Sequence, residues 1–313
     1  MRKIKKVFKW LGIIVLVLVV SVTALTAARQ DLRYEAPFPQ IKSTKDSATI
    51  ERGKHLVASI AHCADCHSPL DADSLRTLGQ EPQLSGGKEF DFGLGKFYSK
   101  NLTSDSATGI GAQTDMQIAR TLYYGVLPNG RPVLDFMPFH NVSESDMSAI
   151  ISYLRTLKPV SNKVPENTYN TMGKVINAFM IKPVGPNGEI KKTVTPDTSA
   201  DYGKYLVMNV ANCSGCHTQR DMAGKFTGEL LAGGNPFDEP GLPPLTPPNL
   251  TPDSSSRIFG WGQQNFIKRF RMEKLIKHSH MPWNSYKTMT DDELIAIYHF
   301  LESVKPAKTP VAK

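Results

Sequence analysis

The chain has 313 residues, long enough for about two domains. With 40% hydrophobic and 21% charged residues it is an ordinary globular composition, which excludes disordered, collagen-like and multi-span membrane classes. The net charge of +8 is local: residues 1–10 hold five bases and no acid, and the remainder has 32 bases against 29 acids. That balance forms no nucleic-acid-binding stripe. Four cysteines are too few for a disulfide scaffold of this size.

Residues 1–9 form a basic segment, and residues 10–28 carry no charge. As a helix, the second stretch spans about 28 Å, close to the hydrocarbon thickness of about 30 Å. The bases before it predict a cytoplasmic amino terminus, with the body exported to the periplasm or extracytoplasmic space. A cleaved signal peptide ending near Thr26-Ala27-Ala28 is the competing reading; the apolar run is longer than such peptides need.

The body repeats itself. Gly53-Lys54-His55-Leu56-Val57 returns as Gly203-Lys204-Tyr205-Leu206-Val207, and Cys63-Ala64-Asp65-Cys66-His67 as Cys213-Ser214-Gly215-Cys216-His217. Further on, Asn101-Leu102-Thr103 matches Asn249-Leu250-Thr251, and Met137-Pro138 matches Met281-Pro282. The order holds while the offset drifts from 150 to 144, as insertions in loops would make it. The expected organisation is a domain at 44–160, a linker at 161–198 and a second domain at 199–306.

Each copy should open with a helix, from Gly53 and Gly203 to about Cys63 and Cys213. Each should close with another, started by Ser143-x-x-Asp146 or Thr290-x-x-Glu293 and stopped by Pro159 or Pro306. A glycine early in a helix is unfavourable, so Gly53 and Gly203 point to close approach of the closing helix, with Tyr153 and Phe300 lying over them; simple tolerance of glycine at a helix start is the alternative. The linker is rich in Pro, Asn and Thr, with a short amphipathic candidate at Met172–Ile181.

Cys-x-x-Cys-His occurs twice and uses every cysteine. Residues i and i+3 share one face of a helical turn, so both thiols can bond the two vinyl groups of one haem, and the adjacent histidine can reach the iron. The pattern predicts two covalently attached haem c groups, held by Cys63 and Cys66 with His67, and by Cys213 and Cys216 with His217. A thioredoxin-type pair does not account for the histidines or the duplication, and a four-cysteine zinc site would need one core across 150 residues. Met137 and Met281 are the candidate second axial ligands, each stiffened by the proline after it. His140 is the rival in the first copy, with His278 and His280 in the second. His55, His62 and His299 read as half-buried or surface residues. Asn101 and Asn249 are candidates to hydrogen-bond a haem propionate; the same triplets match a glycosylation sequon.

Both copies resemble class I-type cytochrome c domains. More closely, Gly86-Gly87, Tyr98-Ser99-Lys100-Asn101-Leu102-Thr103, Thr108-Gly109-Ile110-Gly111, Pro128-Asn129-Gly130 and Met137-Pro138 look like the cytochrome c subunits of bacterial membrane-bound alcohol and sugar-acid dehydrogenases. The resemblance implies an all-α extracytoplasmic fold; the apolar run and the repeat make it an N-terminal transmembrane helix followed by two tandem cytochrome c-type helical domains, where such subunits commonly carry three haem modules and a C-terminal anchor. It implies a protein without a substrate of its own, passing single electrons from a dehydrogenase or quinol towards a downstream cytochrome or terminal oxidase. The alternative is a dihaem peroxidase, which needs an open iron beside acid–base groups. Expected partners are redox proteins, haem and the membrane, with no nucleic acid.

Overall fold

The computed structural model describes residues 2–221, 224–238, 241–272 and 274–310. The chain opens with α1 (Arg2–Ala28), whose stretch Lys3–Ala28 is long and apolar enough to cross a membrane and has no buried residue. An extended strap then leads to α2 (Ser47–His55), capped by Asp46, whose carboxylate accepts from Thr49 N.

The two copies fold alike. In the first, α2 runs into a π-helical turn (Leu56–Ile60), then α3 (Ala64–His67) and α4 (Ala72–Thr77). After a hairpin come α5 (Asp115–Tyr124) and the closing helix α6 (Glu144–Thr156), which packs on α2. The linker contributes α7 (Thr171–Phe179). The second copy gives α8 (Ala200–Tyr205), a π turn (Leu206–Val210), α9 (Cys213–His217), α10 (Gly262–Arg271), α11 (Trp283–Tyr286) and the closing helix α12 (Asp291–Ser303), which packs on α8.

The opening helix of the first copy begins six residues before Gly53, so helix-start tolerance does not explain that glycine. A Cβ on Gly53 would collide with the carbonyl of Ala149 on α6, and one on Gly203 with the carbonyl of Ala296 on α12. The close approach is therefore to closing-helix backbone; Tyr153 Cβ lies beside Gly53, but the nearest atoms at Gly203 belong to Ala296 and Ile297, not Phe300. Leu56, Ile60, Met147 and Ile151, with Leu206, Leu294 and Leu301, are fully buried around these crossings.

The body is helical with one small exception to the all-α expectation. Strands β1 (Glu89–Asp91), β2 (Gly95–Tyr98) and β3 (Thr168–Tyr169) make an antiparallel sheet in that order. β3 comes from the linker, which wraps on the first copy. Asn162 Nδ2 donates to the carbonyls of Ser85 and Gly86, and Glu144 N donates to Lys191 O.

The copies meet through a buried polar cluster. Arg52 on α2 forms a two-pronged pair with Asp146 of α6, both distances 3.0 Å, and reaches Glu293 of α12 at 3.4 Å. His55 Nε2 lies 2.8 and 2.9 Å from the two oxygens of Glu293. Tyr205 Oη of α8 returns the contact, donating to Asp146 at 2.8 Å and accepting from Ser143 N at 3.2 Å. A hydrogen-bonded group buried between two faces contributes about 1 kcal/mol, more when charged, and is costly once its partner is gone.

Candidate functional site

Both Cys-x-x-Cys-His segments follow the same backbone route. The π turn ends with Ala61 N donating to Leu56 O, or Ala211 N to Leu206 O. The next residue, His62 or Asn212, is in the left-handed region at φ 38° or 52°. This region is open to few side chains, with asparagine and histidine enriched among those that enter it. The reversal starts a new helical turn at each Cys-x-x-Cys-His. Cys63 and Cys213 come out against the core, and Cys66 and Cys216 are exposed.

The histidines are held alike. His67 C=O accepts from Gly86 N at 2.7 Å, and His217 C=O from Gly233 N at 3.0 Å. His67 Nδ1 lies 2.8 Å from Lys100 O, and His217 Nδ1 lies 2.7 Å from Pro248 O. A carbonyl only accepts, so the proton sits on Nδ1 and Nε2 keeps its lone pair. Burial pulls both histidines below their ordinary value, against the carbonyl contact, and keeps the rings neutral. A neutral imidazole fixed through Nδ1 is what a metal ligand requires.

Burial pushes the Cys63 and Cys213 thiols up to about 12. Reactive cysteines need a lowered pKa. The two cysteine pairs sit on separate helical turns, α3 with the residue before it and α9. Two thiols one helical turn apart beside a neutral imidazole fit a covalently held haem in each copy.

Met137 and Met281 occupy matching turns. Phe139 N donates to Met137 O at 2.9 Å and Trp283 N to Met281 O at 2.8 Å, while Pro282 has φ −79° and ψ 62°, an inverse γ-turn. Met137 lines a small cleft with Thr121, Gly125 and His140. His140 has both ring nitrogens engaged, Nδ1 with Tyr123 O at 2.8 Å and Nε2 with Asp135 at 2.9 Å. Burial lowers its pKa, but the Asp135 and Tyr123 bonds outweigh that and leave it raised.

Asn101 and Asn249 are buried and bonded to the protein itself. Asn101 Nδ2 donates to Thr108 Oγ1 and Val160 O, and its oxygen accepts from Thr103 N and Oγ1. Asn249 Nδ2 donates to Ala307 O and Thr309 Oγ1. Both side chains clasp the loop that presents the Lys100 or Pro248 carbonyl to the chain leaving the closing helix, and neither amide has a hydrogen left for a propionate.

Sequence reasoning missed those two carbonyls, which carry no side-chain signature. It also read His55 as an ordinary residue. The signal was available in the repeat, where Arg52 and His55 stand opposite Tyr202 and Tyr205, a basic pair against two phenols.

The sequence model of cytochrome c matches residues 50–158 and again 200–305. The chain belongs to the cytochrome c family. Among curated proteins, this cytochrome is 28% identical over 280 residues to the alcohol dehydrogenase (quinone) cytochrome c subunit of Gluconacetobacter polyoxogenes, covering 83% of this chain and 57% of that protein. It is 27% identical over 307 residues to the fructose dehydrogenase cytochrome subunit of Gluconobacter japonicus, covering 91% and 58%. It is also 27% identical over 196 residues to a diheme cytochrome c-type protein of Cereibacter sphaeroides, covering 60% and 64%. The chain thus spans less than two thirds of the length of these relatives.

Proposed function

We propose that this chain is a membrane-anchored dihaem cytochrome c. It would carry single electrons between a dehydrogenase or quinol donor and a downstream cytochrome or terminal oxidase. The observation that carries the reading is the twin Cys-x-x-Cys-His turn with its histidine locked at Nδ1 by a backbone carbonyl. The relatives named as dehydrogenase cytochrome subunits support a dehydrogenase as partner.

Cys63, Cys66 and His67 would hold one haem, and Cys213, Cys216 and His217 the other, with Met137 and Met281 as the further candidate ligands. When bound, each haem iron supplies a one-electron couple. The chain's own residues do the rest. The carbonyls of Lys100 and Pro248 fix the tautomer and ring orientation of the histidines and raise their basicity. The γ-turns stiffen the methionine loops, and a methionine opposite histidine raises the potential relative to two histidines. The engagement of both His140 nitrogens favours Met137 as the first copy's ligand.

The two sites belong to one packed body. Ser285 Oγ, just after Met281-Pro282, donates to Asp65 of the first Cys-x-x-Cys-His at 3.2 Å, and Ser59 Oγ donates to Ser285 O at 3.3 Å. The Tyr286 ring meets His62 edge-on, and its hydroxyl donates to Ala211 O at 2.9 Å. The distal loop of one copy thus abuts the proximal turn of the other, which suits electron passage within the chain. α1 would anchor residues 10–28 in the cytoplasmic membrane, with domains 44–160 and 199–306 outside and 161–198 linking them.

Purification from membranes followed by potentiometric titration and carbon monoxide addition tests the reading. The expected result is two haem transitions, no prompt carbon monoxide binding, and a dehydrogenase or oxidase in the co-purifying complex. Prompt binding at one reduced haem would instead favour the peroxidase. Material without covalent haem, from cells able to mature such proteins, would refute both.

A further inference from the structure

Helix α7 wears its amphipathicity inside out. The face it turns to the body carries Gly173, Asn177 and Ala178, and Gly173 sits so close to Leu94 that a Cβ would strike its carbonyl. Its outer stripe is Met172, Phe179 and Met180, exposed, with Val175 and Ile176 half-buried between them at spacings of three and four residues. Met172 is 62% exposed, Phe179 40% and Met180 57%. A helix on a body surrounded by water places such residues inward.

The position of α7 identifies what covers this face. Immediately after α1, Arg29 Nε donates to Ala178 O at 2.9 Å and Gln30 Nε2 to Lys174 O at 2.9 Å. Asn177 Nδ2 donates back to Gln30 O at 3.1 Å, and the Arg29 guanidinium lies 5.5 Å from the centre of the Phe179 ring. The charge-free part of α1 ends at Ala28, so α7 is fastened to the chain where α1 would leave the hydrocarbon. Lys182, exposed, follows the stripe in the chain. A long basic side chain there can keep its stem in apolar surroundings and its charge among anionic headgroups.

We infer that α7 is a lipid-seated foot: its Met172–Ile176–Phe179–Met180 face lies in the outer interface of the bilayer that α1 crosses, with Lys182 against anionic phospholipid headgroups. This rests on the anchor reading of α1. An apolar interfacial face beside the anchor gives the haem-bearing body a second point of attachment, so the body is held in one attitude to the membrane instead of swinging on a single tether.

The test uses the full haem-loaded chain in vesicles of phosphatidylethanolamine and phosphatidylglycerol containing a phospholipid with a photoactivatable carbene precursor in its upper acyl chain. Adducts are mapped by peptide mass spectrometry after irradiation. Adducts are expected on residues 10–28 and on the α7 stripe, and not on Leu275, an exposed leucine of the second copy that serves as the control. Labelling of 10–28 without α7 would overturn the foot and leave the anchor standing. Labelling of neither would overturn both, and labelling of Leu275 as strongly as α7 would overturn the foot as non-specific. In the double variant Met172→Glu with Met180→Glu, α7 adducts should fall to background while 10–28 remains labelled and both haems are retained. Persistent α7 adducts in that variant would also refute the foot.

Discussion

The two copies differ most where they touch each other and least where they present their histidines. His67 and His217 share the left-handed lead-in residue, the Nδ1-to-carbonyl bond and the bond from a following glycine amide. At the junction the copies part company. Thr290 and Glu293 complete a reciprocal capping box, while Asp146 caps nothing in return and spends its carboxylate on Arg52 and Tyr205. The first copy offers Arg52 and His55, the second Tyr202 and Tyr205. The two copies share the geometry that presents the histidine and differ where their surfaces pair.

The strongest way to break the comparison is to remove the thiols from one copy. Cys63→Ser with Cys66→Ser should leave one covalent haem per chain, and Cys213→Ser with Cys216→Ser should leave the other, as read by intact mass and haem staining. Two haems in either variant would refute the matched-site reading.

A methyl group on Gly203 forces α8 and α12 apart, and overpacking of this kind costs about 1–3 kcal/mol or more. Gly53→Ala should do the same between α2 and α6, and denaturant midpoints of both variants should fall together. Removing one partner of a buried ion pair costs about 3–5 kcal/mol, so Glu293→Ala, which takes the carboxylate from His55 and leaves Arg52 with Asp146 and Tyr202, should destabilise the chain at the low end of that range, by about 3 kcal/mol. Tyr205→Phe removes a hydrogen bond to the Asp146 carboxylate, which keeps its Arg52 partner, and should cost about 1.5 kcal/mol. Equal losses would show that the charge asymmetry of the junction is unimportant.

Met137→Ala should leave haem attached and lower the potential of that haem by on the order of 0.1 V, within the roughly 0.8 V that axial ligation spans. Met281→Ala should act only on the other transition. An unchanged titration would remove that methionine as a ligand.

The smallest effect is in acid. Burial raises the Glu293 carboxyl, but the His55 bond and the charges of His55 and Arg52 bring it below glutamate's ordinary 4.5. A depressed carboxyl contributes stability that is present above 4.5 and lost as pH falls through its folded value. Glu293→Gln should therefore flatten the stability profile below pH 4.5, measured by denaturant midpoint against pH. An unaltered slope would place the acid sensitivity elsewhere.

Much of the candidate site was legible because it rests on side-chain identity at fixed spacing. The duplicated Cys-x-x-Cys-His, the Met-Pro pairs, the helix-start signals at Ser143 and Thr290 and the Gly53 and Gly203 crossings are all local patterns or their repetition. The small sheet was not legible, since β1 is three residues long and β3, from the linker, is two. The propionate role expected of Asn101 and Asn249 was a fair reading of a buried amide beside a haem-binding motif. Chain that returns after α6 and α12 takes up their donors instead, and that return joins residues nearly 60 apart.

The sequence by itself determined that this protein is a doubled cytochrome c with an apolar amino-terminal helix, because thiol spacing, internal repetition and uninterrupted hydrophobicity need no knowledge of what packs where. Only the tertiary structure decided which backbone carbonyls orient the histidines, that Arg52, His55, Asp146 and Glu293 meet between the copies, and that the apolar side of α7 faces outward. Carbonyls have no residue code, and the partners of a buried charge or the outward face of a short helix depend on how distant segments are brought together.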